Sequence, residues 1–370
     1  MVARSLLHPL TGGLPLGLVR TLRVHGGFSV RHTVQIAVML LAGVLRTPYC
    51  GFEALRTTAR AAAATFDPPP VVIVGHWRSG TTYLHHLMSA DKRFCYPTLL
   101  DALRPYDFYP SPFEPISRAF LLLSLPETRP MDDIPLRPDL PQEDEMALAT
   151  MAAPSFFNCF YFPRMMSEIF EAEVLFIGAP QADIDRWEKC LRLYLGKLVA
   201  LHPDRRLLLK NPAHSARIPR LRSLFPGAKF VHIHRDPLDV LESTVKLYRS
   251  MLPVVALQDY ETSAIDAHVE RSYSRLMDRL LAGLAALPAS DVAEVRYSDL
   301  VESPIAVLRA AYDRLGLPGF GHAEAAINAR VREQTRKRLP DALARVPRSA
   351  ATMEMLASYR ARLGYDSATA

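Results

Sequence analysis

The sequence lacks several features that would place it in common protein classes. Its 370 residues include only four cysteines, and because no CxxC pair occurs we expect neither a zinc site nor a disulfide framework. Such sparse cysteine usage favours a reducing compartment, and we predict a cytoplasmic protein. No group of histidine, cysteine and aspartate residues has the spacing of metal ligands, so we expect no bound metal.

What the chain does contain is the composition of a globular protein. Apolar residues make up 49% and charged residues 22%, which excludes wholesale disorder. The formal net charge of +6 favours anionic partners, among which nucleic acid, acidic lipid and phosphorylated cofactors all fit. The basic residues are interspersed with acidic ones along the chain instead of forming one patch, and we therefore expect no nucleic-acid partner.

The N-terminal part of the chain has no hydrophobic run long enough to cross a bilayer. Residues 34–45 are apolar, but about twelve residues fall short of the roughly twenty that a membrane span needs. Two interpretations remain open for this run. It is either a helix packed on the core or a helix lying in the membrane interface, and flanking arginines such as Arg31 and Arg46 support the second.

Short apolar runs alternate with helical patterns in the rest of the chain. We expect buried strands at residues 71–74, 207–209, 229–233 and 292–297. We expect helices over residues 181–201, 215–225, 237–250, 264–287 and 303–315. Because strands that alternate with helices form parallel sheets covered by helices, this order predicts an α/β fold, a P-loop-like three-layer α/β/α arrangement around a central parallel sheet.

The most informative motif, GHWRSGTT at residues 75–82, lies directly after the first predicted strand and before a helical pattern. Glycines at both ends let the backbone close around an anion, and a helix N-terminus adds its positive end. The motif is nearly the P-loop GxxxxGK[ST], but Thr81 stands where the nucleotide-binding lysine is required. That substitution argues against a nucleoside triphosphatase, and a P-loop kinase acting on a small molecule stays the alternative. The cation lies inside the loop, at Arg78, which suits a shorter terminal anion.

A second motif follows the strand predicted at residues 229–233. Arg235 comes at the end of that strand, and Pro237 opens a helix in which Ser243 lies about two turns from the start. The planar guanidinium of Arg235 can hold a phosphate group through two parallel hydrogen bonds, and the hydroxyl of Ser243 can supply a further donor. The spacing thus predicts a second site for a phosphate.

Together, the two motifs resemble the phosphate-binding signatures of sulfotransferases that use 3′-phosphoadenosine 5′-phosphosulfate (PAPS). In that family a [KR]-S-G-T-T loop binds the 5′-phosphosulfate, and an arginine with a serine eight residues later binds the 3′-phosphate. The segment YSDLVESP at residues 297–304 is similar to a further element of the family. The resemblance covers about residues 70–320 and is greatest to the broad bacterial sulfotransferase group. It implies the donor-binding residues Arg78, Ser79, Gly80, Thr81, Thr82, Arg235 and Ser243.

The resemblance also sets the expected domain organisation. We expect a sulfotransferase domain over residues 67–320, preceded by the apolar and basic segment 1–66 and followed by a helical extension over residues 321–370. Cytosolic members of the family carry a late Arg-Lys-Gly for the 3′-phosphate. This chain has Arg-Lys-Arg at residues 336–338, and we do not transfer that role to it.

The reaction implied by the resemblance is an in-line attack of a substrate hydroxyl on sulfur. As in phosphoryl transfer, the protein mainly positions the reacting groups and stabilises charge. We expect Arg78 near the bridging oxygen and the transferring group, with Thr81 and Thr82 at the 5′-phosphate. A general base should take the proton of the hydroxyl.

Two segments offer that base. The strand predicted at residues 207–209 is followed by Lys210 and, in the next loop, by His214. Because active-site groups gather at the carboxyl ends of strands in open α/β sheets, Lys210 could contact the sulfuryl oxygens and His214 could accept the proton. The resemblance supports this assignment. The rival is Glu143 or Glu145, in an acidic cluster before a helical run, since some relatives use a glutamate as base.

The acceptor is the least defined part of the prediction. Aromatic residues and methionines gather in residues 95–166, where they either wall an apolar substrate cleft or pack an irregular insertion. They are Phe108, Tyr109, Phe113, Phe120, Phe156, Phe157, Phe160, Tyr161, Phe162, Met165 and Met166. With the apolar and basic N-terminus they favour a lipid-like or hydrophobic hydroxyl acceptor and peripheral contact with a membrane, and a small-molecule, glycan or peptide hydroxyl stays open.

Overall fold

The computed structural model describes residues 8–109, 119, 137–335 and 347–365. Within these ranges the strands are β1 Val71–Val74, β2 Phe94–Cys95, β3 Arg206–Lys210, β4 Lys229–His234 and β5 Val292–Arg296. They form one sheet with the order β2-β3-β1-β4-β5.

The helices of the described residues account for most of the chain. The α-helices are α1 Pro15–Val24, α2 Thr33–Ala62, α3 Thr81–Met88, α4 Leu99–Leu103, α5 Asp144–Thr150, α6 Phe157–Tyr161, α7 Met166–Ile169, α8 Gln181–Leu201, α9 Ile218–Leu224, α10 Pro237–Val255, α11 Ala264–Ala285, α12 Tyr297–Glu302, α13 Pro304–Leu315, α14 Phe320–Thr335 and α15 Ala350–Arg362. A π-helical turn, Phe170–Val174, follows α7, and short 3₁₀ helices lie at Pro9–Gly12, Val30–His32, Pro163–Met165, Pro212–Ala216 and Ala289–Asp291.

The sheet is parallel around its central strand. β1 pairs in parallel with β3 on one side and β4 on the other, and β4 pairs in parallel with β5. All four residues of β1 are fully buried, because strands covered on both faces need apolar side chains in both directions. The predicted α/β fold with a central parallel sheet is therefore confirmed. The helix predicted over residues 181–201 begins and ends at those residues, as α8.

The chain divides into two compact units. The first comprises Met1–Pro68, Cys95–Leu207 and Tyr248–Thr262. The second comprises Pro69–Phe94, Leu208–Leu247 and Ser263–Ala370. The division expected from the sequence, at residues 66 and 320, stays a prediction.

Helix α2 belongs to the first unit and is much longer than the apolar run in its first half. Its thirty residues include polar ones that continue the buried stripe toward the C-terminal end. The stripe packs against α8 at Gly196, where a Cβ would lie 2.2 Å from the carbonyl oxygen of Ala61. The Lys197 Nζ also donates to Glu53 at 2.7 Å, and both side chains are buried. The expectation that no N-terminal stretch is long enough to cross a bilayer is wrong by this measure, because Val30–Ala62 is, by length and composition, long and apolar enough to do so.

In the second unit, the turn between β1 and α3 lies tightly against its neighbours. Gly75 has φ 153°, and a Cβ there would lie 2.3 Å from the carbonyl oxygen of Ile233 in β4. Gly80 has φ 103°, and its Cβ would lie 2.3 Å from Cδ2 of Tyr297, the first residue of α12. Glycine alone tolerates both the backbone angle and the approach, so the two glycines let this turn close.

We expect the substitution Gly80→Ala to destabilise the protein. The added methyl group would overlap the ring of Tyr297, and an alanine at φ 103° is strained in its backbone as well. The free energy of unfolding should fall by more than about 2 kcal/mol, which urea denaturation measures.

Gly316→Ala is the matched control for this prediction. Gly316 has φ 65°, but nothing lies within 4 Å of its Cβ position, so only the backbone strain of about 1 kcal/mol should remain. Equal losses for the two variants would show that the ring of Tyr297 does not constrain the turn.

Candidate active site

The turn between β1 and α3 is held by serine hydroxyls. Ser79 Oγ donates to the carbonyl oxygen of His76 at 2.8 Å and lies 3.1 Å from that of Ile233 in β4. Ser215 Oγ accepts from the amide of Gly75 at 2.9 Å and donates to the carbonyl of the same residue at 3.0 Å. These hydrogen bonds fix the backbone of the turn ahead of any ligand, as an anion-binding loop at a helix N-terminus requires.

Arg78 connects the first motif with the second. Its backbone has φ 69°, a left-handed conformation that is uncommon for a residue other than glycine. Its side chain extends to α10, where the Nε donates to Ser243 Oγ at 2.9 Å. Residues that are 165 positions apart in the sequence therefore meet, and the structure brings together two of the predicted donor-binding residues. Backbone strain of this kind often marks a functional site.

Arg235 follows β4 and is held in one orientation. Its guanidinium lies over the ring of Tyr297, with 5.2 Å between the Cζ and the ring centroid. Its Nη2 lies 3.2 Å from a carboxylate oxygen of Asp239, in the first turn of α10. The Arg235 side chain is only 17% exposed. A planar cation fixed by a ring on one side and a carboxylate on another is suited to two parallel hydrogen bonds with a phosphate.

Lys210 lies at the carboxyl end of β3, buried beside the start of α3. Its Nζ donates to Thr82 Oγ1 at 3.4 Å, so the lysine and the GHWRSGTT motif meet as the sequence predicts. Burial, with a further contribution from the charge of Lys210, holds the pKa of His85 well below its ordinary value. His85 is therefore neutral at pH 7, and Lys210 contributes the positive charge beside the start of α3.

The two segments that supply the candidate bases belong to different units. His214 is fully buried in the 3₁₀ helix Pro212–Ala216, which follows β3 in the second unit. Asn211 caps this helix, because its side-chain oxygen accepts from the amide of Ala213 at 2.9 Å. Glu143 is half-buried in the first unit, directly before α5. Glu145 is fully buried there and accepts from the amide of Phe156 at 2.6 Å, which makes it part of the packing of that unit.

Most of the predicted aromatic segment packs inside the first unit. Phe156 and Phe160 stack edge-on at 5.1 Å between ring centroids, and Tyr248 lies 4.8 Å from Phe160. Tyr161 and Phe162 are fully buried. These residues thus favour the packing interpretation over the wall of a cleft. The predicted residues Phe113 and Phe120 lie outside the described residues.

The sequence interpretation assigns no role to two residues that shape the site. Ser215 bonds the turn after β1, and Tyr297 contacts both Gly80 and Arg235. Tyr297 could have been found, because it opens the late motif YSDLVESP that the sequence analysis singles out. No pattern in the sequence points to Ser215, whose role depends on a contact with a residue 140 positions away.

Comparison with known proteins identifies the family. A profile of the sulfotransferase family matches residues 69–321. Two curated relatives, from Mycobacterium bovis and Mycobacterium tuberculosis, are both named omega-hydroxy-beta-dihydromenaquinone-9 sulfotransferase Stf3, and each is 34% identical over 261 residues. The match covers 70% of this chain and 66% of theirs, so it spans slightly less than two thirds of the relatives' length.

Two solved structures share the fold. The sulfotransferase STF9 from Mycobacterium avium has a TM-score of 0.62 and 17% identity, with 95% of this chain and 96% of that chain covered. The sulfotransferase STF1 from Mycobacterium tuberculosis has a TM-score of 0.65 and 18% identity, with 87% and 89% covered. These similarities confirm the predicted P-loop-like fold. Since the family profile matches more than half of the chain, and the predicted motifs lie within the match, the chain belongs to the sulfotransferase family.

Proposed function

We propose that this chain transfers a sulfuryl group from PAPS to a hydroxyl of a hydrophobic, lipid-like acceptor. The observation that carries the proposal is the hydrogen bond from Arg78 Nε to Ser243 Oγ. It joins the loop suited to a 5′-phosphosulfate to the helix suited to a 3′-phosphate. A nucleotide with anionic groups at both positions fits this arrangement, whereas ATP, which has no 3′-phosphate, would leave Arg235 and Ser243 unused.

The donor set supports a nucleotide of this kind. Gly80 and the N-terminus of α3 offer backbone amides to the 5′-phosphate, with the hydroxyls of Thr81 and Thr82 beside them. Arg235 and Ser243 offer charge-assisted and neutral donors to the 3′-phosphate. We assign Ser79 to holding the loop in its anion-binding conformation, because both its hydroxyl and its backbone amide donate to the carbonyl of His76.

The reaction needs charge stabilisation and one proton transfer. The acceptor oxygen would bond to sulfur while the bond from sulfur to the bridging oxygen breaks, and Arg78 and Lys210 would neutralise the charge that develops on the oxygens. The proton of the hydroxyl would pass to His214, with Glu143 as the rival base. We do not favour Glu145, since its carboxylate is occupied by a backbone amide in the first unit.

The acceptor class rests on the relatives and on the N-terminal unit. The curated relatives are named for an omega-hydroxylated dihydromenaquinone, and we infer a hydroxyl at the end of a long apolar chain as the acceptor here. A small-molecule or glycan hydroxyl is the alternative. We place the activity in residues 67–320, between the segment 1–66 and the extension 321–370. An enzyme with this acceptor would work in the cytoplasm at the membrane surface.

We expect adenosine 3′,5′-bisphosphate, the product of the donor, to raise the melting temperature without added metal. Arg235→Ala should remove most of the shift, because each hydrogen bond from a charged group contributes about 1.5–3 kcal/mol. Thermal denaturation with and without the nucleotide measures both effects.

ATP with magnesium is the comparison ligand for this experiment. It should shift the melting temperature less than the bisphosphate does, since it lacks the 3′-phosphate. Stabilisation by ATP with magnesium, together with none by the bisphosphate, would favour the P-loop kinase over the sulfotransferase.

The base can be tested by single substitutions. His214→Ala should lower kcat by about 10²–10⁴-fold, while the dissociation constant of adenosine 3′,5′-bisphosphate changes little. The measurement is the transfer of a labelled sulfuryl group from PAPS to an omega-hydroxylated menaquinone. Because His214 is fully buried, His214→Gln serves as a second variant of more similar volume.

Glu143→Gln is the matched variant for the rival base. It keeps the shape of the side chain and removes only the proton-accepting carboxylate. If Glu143→Gln lowers kcat by about 10²–10⁴-fold, while both His214 variants keep the kcat of the unaltered protein, the base is Glu143.

A further inference from the structure

The exposed apolar side chains of this protein are concentrated in one region. Among the described residues, eleven large hydrophobic side chains are exposed, and nine of them lie between residues 16 and 55. We call these nine the apolar face: Leu16, Val24, Val30, Val34, Leu41, Val44, Leu45, Phe52 and Leu55. The other two are Ile177 and Met353. Single exposed hydrophobic residues are ordinary, but a continuous group of this size marks an interaction surface.

The apolar face follows one side of α2. Val34, Leu41, Leu45 and Phe52 recur at intervals of seven, four and seven residues, which is helical spacing. Val44 and Leu55 lie on the same side of the helix, and the group from Val34 to Leu55 covers about 32 Å of helix. The opposite side of α2 is packed against α8, where the buried Glu53 and Lys197 form an ion pair. Separating such a pair is costly, so α2 stays on its unit and presents the apolar face along the surface.

The charge of this region is positive. Residues 8–62 contain six arginines, no lysine and one acidic residue, Glu53, which is buried against Lys197. Arg23, Arg56 and Arg60 are exposed on α1 and α2. Basic side chains beside an apolar helical face are the pattern of helices that lie in the interface of an anionic membrane.

A groove in the first unit extends the apolar surface. It has a volume of about 460 Å³ and lies between α1 and α2. Leu22, Phe28, Ile36 and Leu40 line it, and Arg23 also contributes to its wall. A groove that is mostly apolar and lies next to exposed apolar side chains suits a hydrocarbon chain, and Arg23 at its wall suits an anionic head group.

We propose that the apolar face of α1 and α2 docks peripherally onto an anionic lipid bilayer, with a lipid chain entering the groove between the two helices. The proposal deepens the proposed function, because it names the surface that would bring the enzyme to a hydrophobic acceptor. Binding to lipid alone requires neither donor nor acceptor, so it can be tested separately from the sulfotransferase activity.

The test is sedimentation of the full chain with vesicles of phosphatidylcholine, with or without phosphatidylglycerol. We expect binding to the anionic vesicles that weakens at high salt. Leu41→Asp with Leu45→Asp should weaken it by more than about tenfold for each leucine, from the lost burial. Ile177→Asp with Met353→Asp is the matched control, because it places the same charges on the two exposed hydrophobic residues outside the apolar face.

Three outcomes would overturn the proposal. Equal binding by the two double variants would show that the apolar face does not contact lipid. Retention in the membrane pellet after alkaline carbonate extraction would make α2 a membrane span. Absence of vesicle binding, with a dimer that Leu41→Asp and Leu45→Asp disrupt, would show that a second copy of the chain covers the face.

A separate observation concerns the C-terminal segment 347–365, which touches the second motif at three places. Arg348 is buried and donates to Glu242, the residue before Ser243, at 3.0 Å. Arg360 on α15 forms an ion pair with Asp236, the residue after Arg235.

The third contact follows α15. The Tyr365 hydroxyl lies 3.0 Å from Nδ1 of His234, the residue before Arg235. Arg296 stabilises this end of the chain, since its Nη2 donates to the carbonyl of Gly364 at 2.8 Å and its guanidinium lies over the ring of Tyr365. The residues that flank Arg235 and the residue before Ser243 are therefore all in contact with the segment 347–365.

From these contacts we infer that Arg360 and Tyr365 are positioning residues for the 3′-phosphate site. They act through Asp236 and His234, which flank Arg235, and they set the preference for a 3′-phosphorylated nucleotide. This inference rests on the proposed function, because it takes Arg235 as a ligand of the 3′-phosphate.

The test compares two nucleotides by calorimetry. For Arg360→Ala and for Tyr365→Phe, the affinity for adenosine 3′,5′-bisphosphate should fall by about tenfold. Each variant loses roughly one hydrogen bond that holds a neighbour of Arg235 in place. The affinity for adenosine 5′-monophosphate should not change, because it has no 3′-phosphate. Arg362→Ala is the matched control, since Arg362 lies on the same helix but bonds to Asp278.

The ratio of the two affinities separates positioning from general stability. A variant that loses both nucleotides equally, or an equal effect of Arg362→Ala, would show that the segment only supports the fold. An unchanged ratio in both variants would overturn the inference and leave the donor site intact. If the unaltered protein does not prefer the bisphosphate, the proposed function itself fails.

Discussion

The parallel pairing of β1 with β4 is the constraint on which the donor site depends. In this register Val74 is opposite His232, so both strands end at the same edge of the sheet, and each is followed by a helix. The turn after β1 and the start of α10 therefore meet, although Arg78 and Ser243 are 165 positions apart. Positive charge and two helix N-termini gather at that edge without any residue having to cross the sheet.

Much of this arrangement could be predicted from the sequence. The run at β1 and the centre of β3 are short, continuous and apolar, and β4 carries Phe230, Val231 and Ile233 among its residues, which is how strands buried on both faces are recognised. The glycines of the GHWRSGTT motif and the spacing of Arg235 from Ser243 identify anion-binding turns by local chemistry alone. The contact of Lys210 with Thr82 follows from the same rule, since neighbouring parallel strands end side by side.

Other features could not be read from local patterns. The two residues of β2 are too few to show an alternation of apolar and polar side chains. Helix α2 extends far beyond its apolar run because the buried Glu53 pairs with Lys197, a contact that forms only in the folded chain. The contacts of Ser215 and Tyr365 join residues that are distant in the sequence. The sequence could not decide between His214 and Glu143 as the general base for the same reason, because the role of a polar side chain depends on residues that only the fold brings near it.

The ring of Tyr297 has a consequence for how such a sequence can change. The ring occupies the space that a side chain at position 80 would need, and the guanidinium of Arg235 lies over the same ring. A smaller residue at 297 would make room for a methyl group at 80 but would leave the cation without its platform. Substitutions at positions 80, 235 and 297 are therefore coupled. Relatives that differ at one of these positions should carry compensating substitutions at the others.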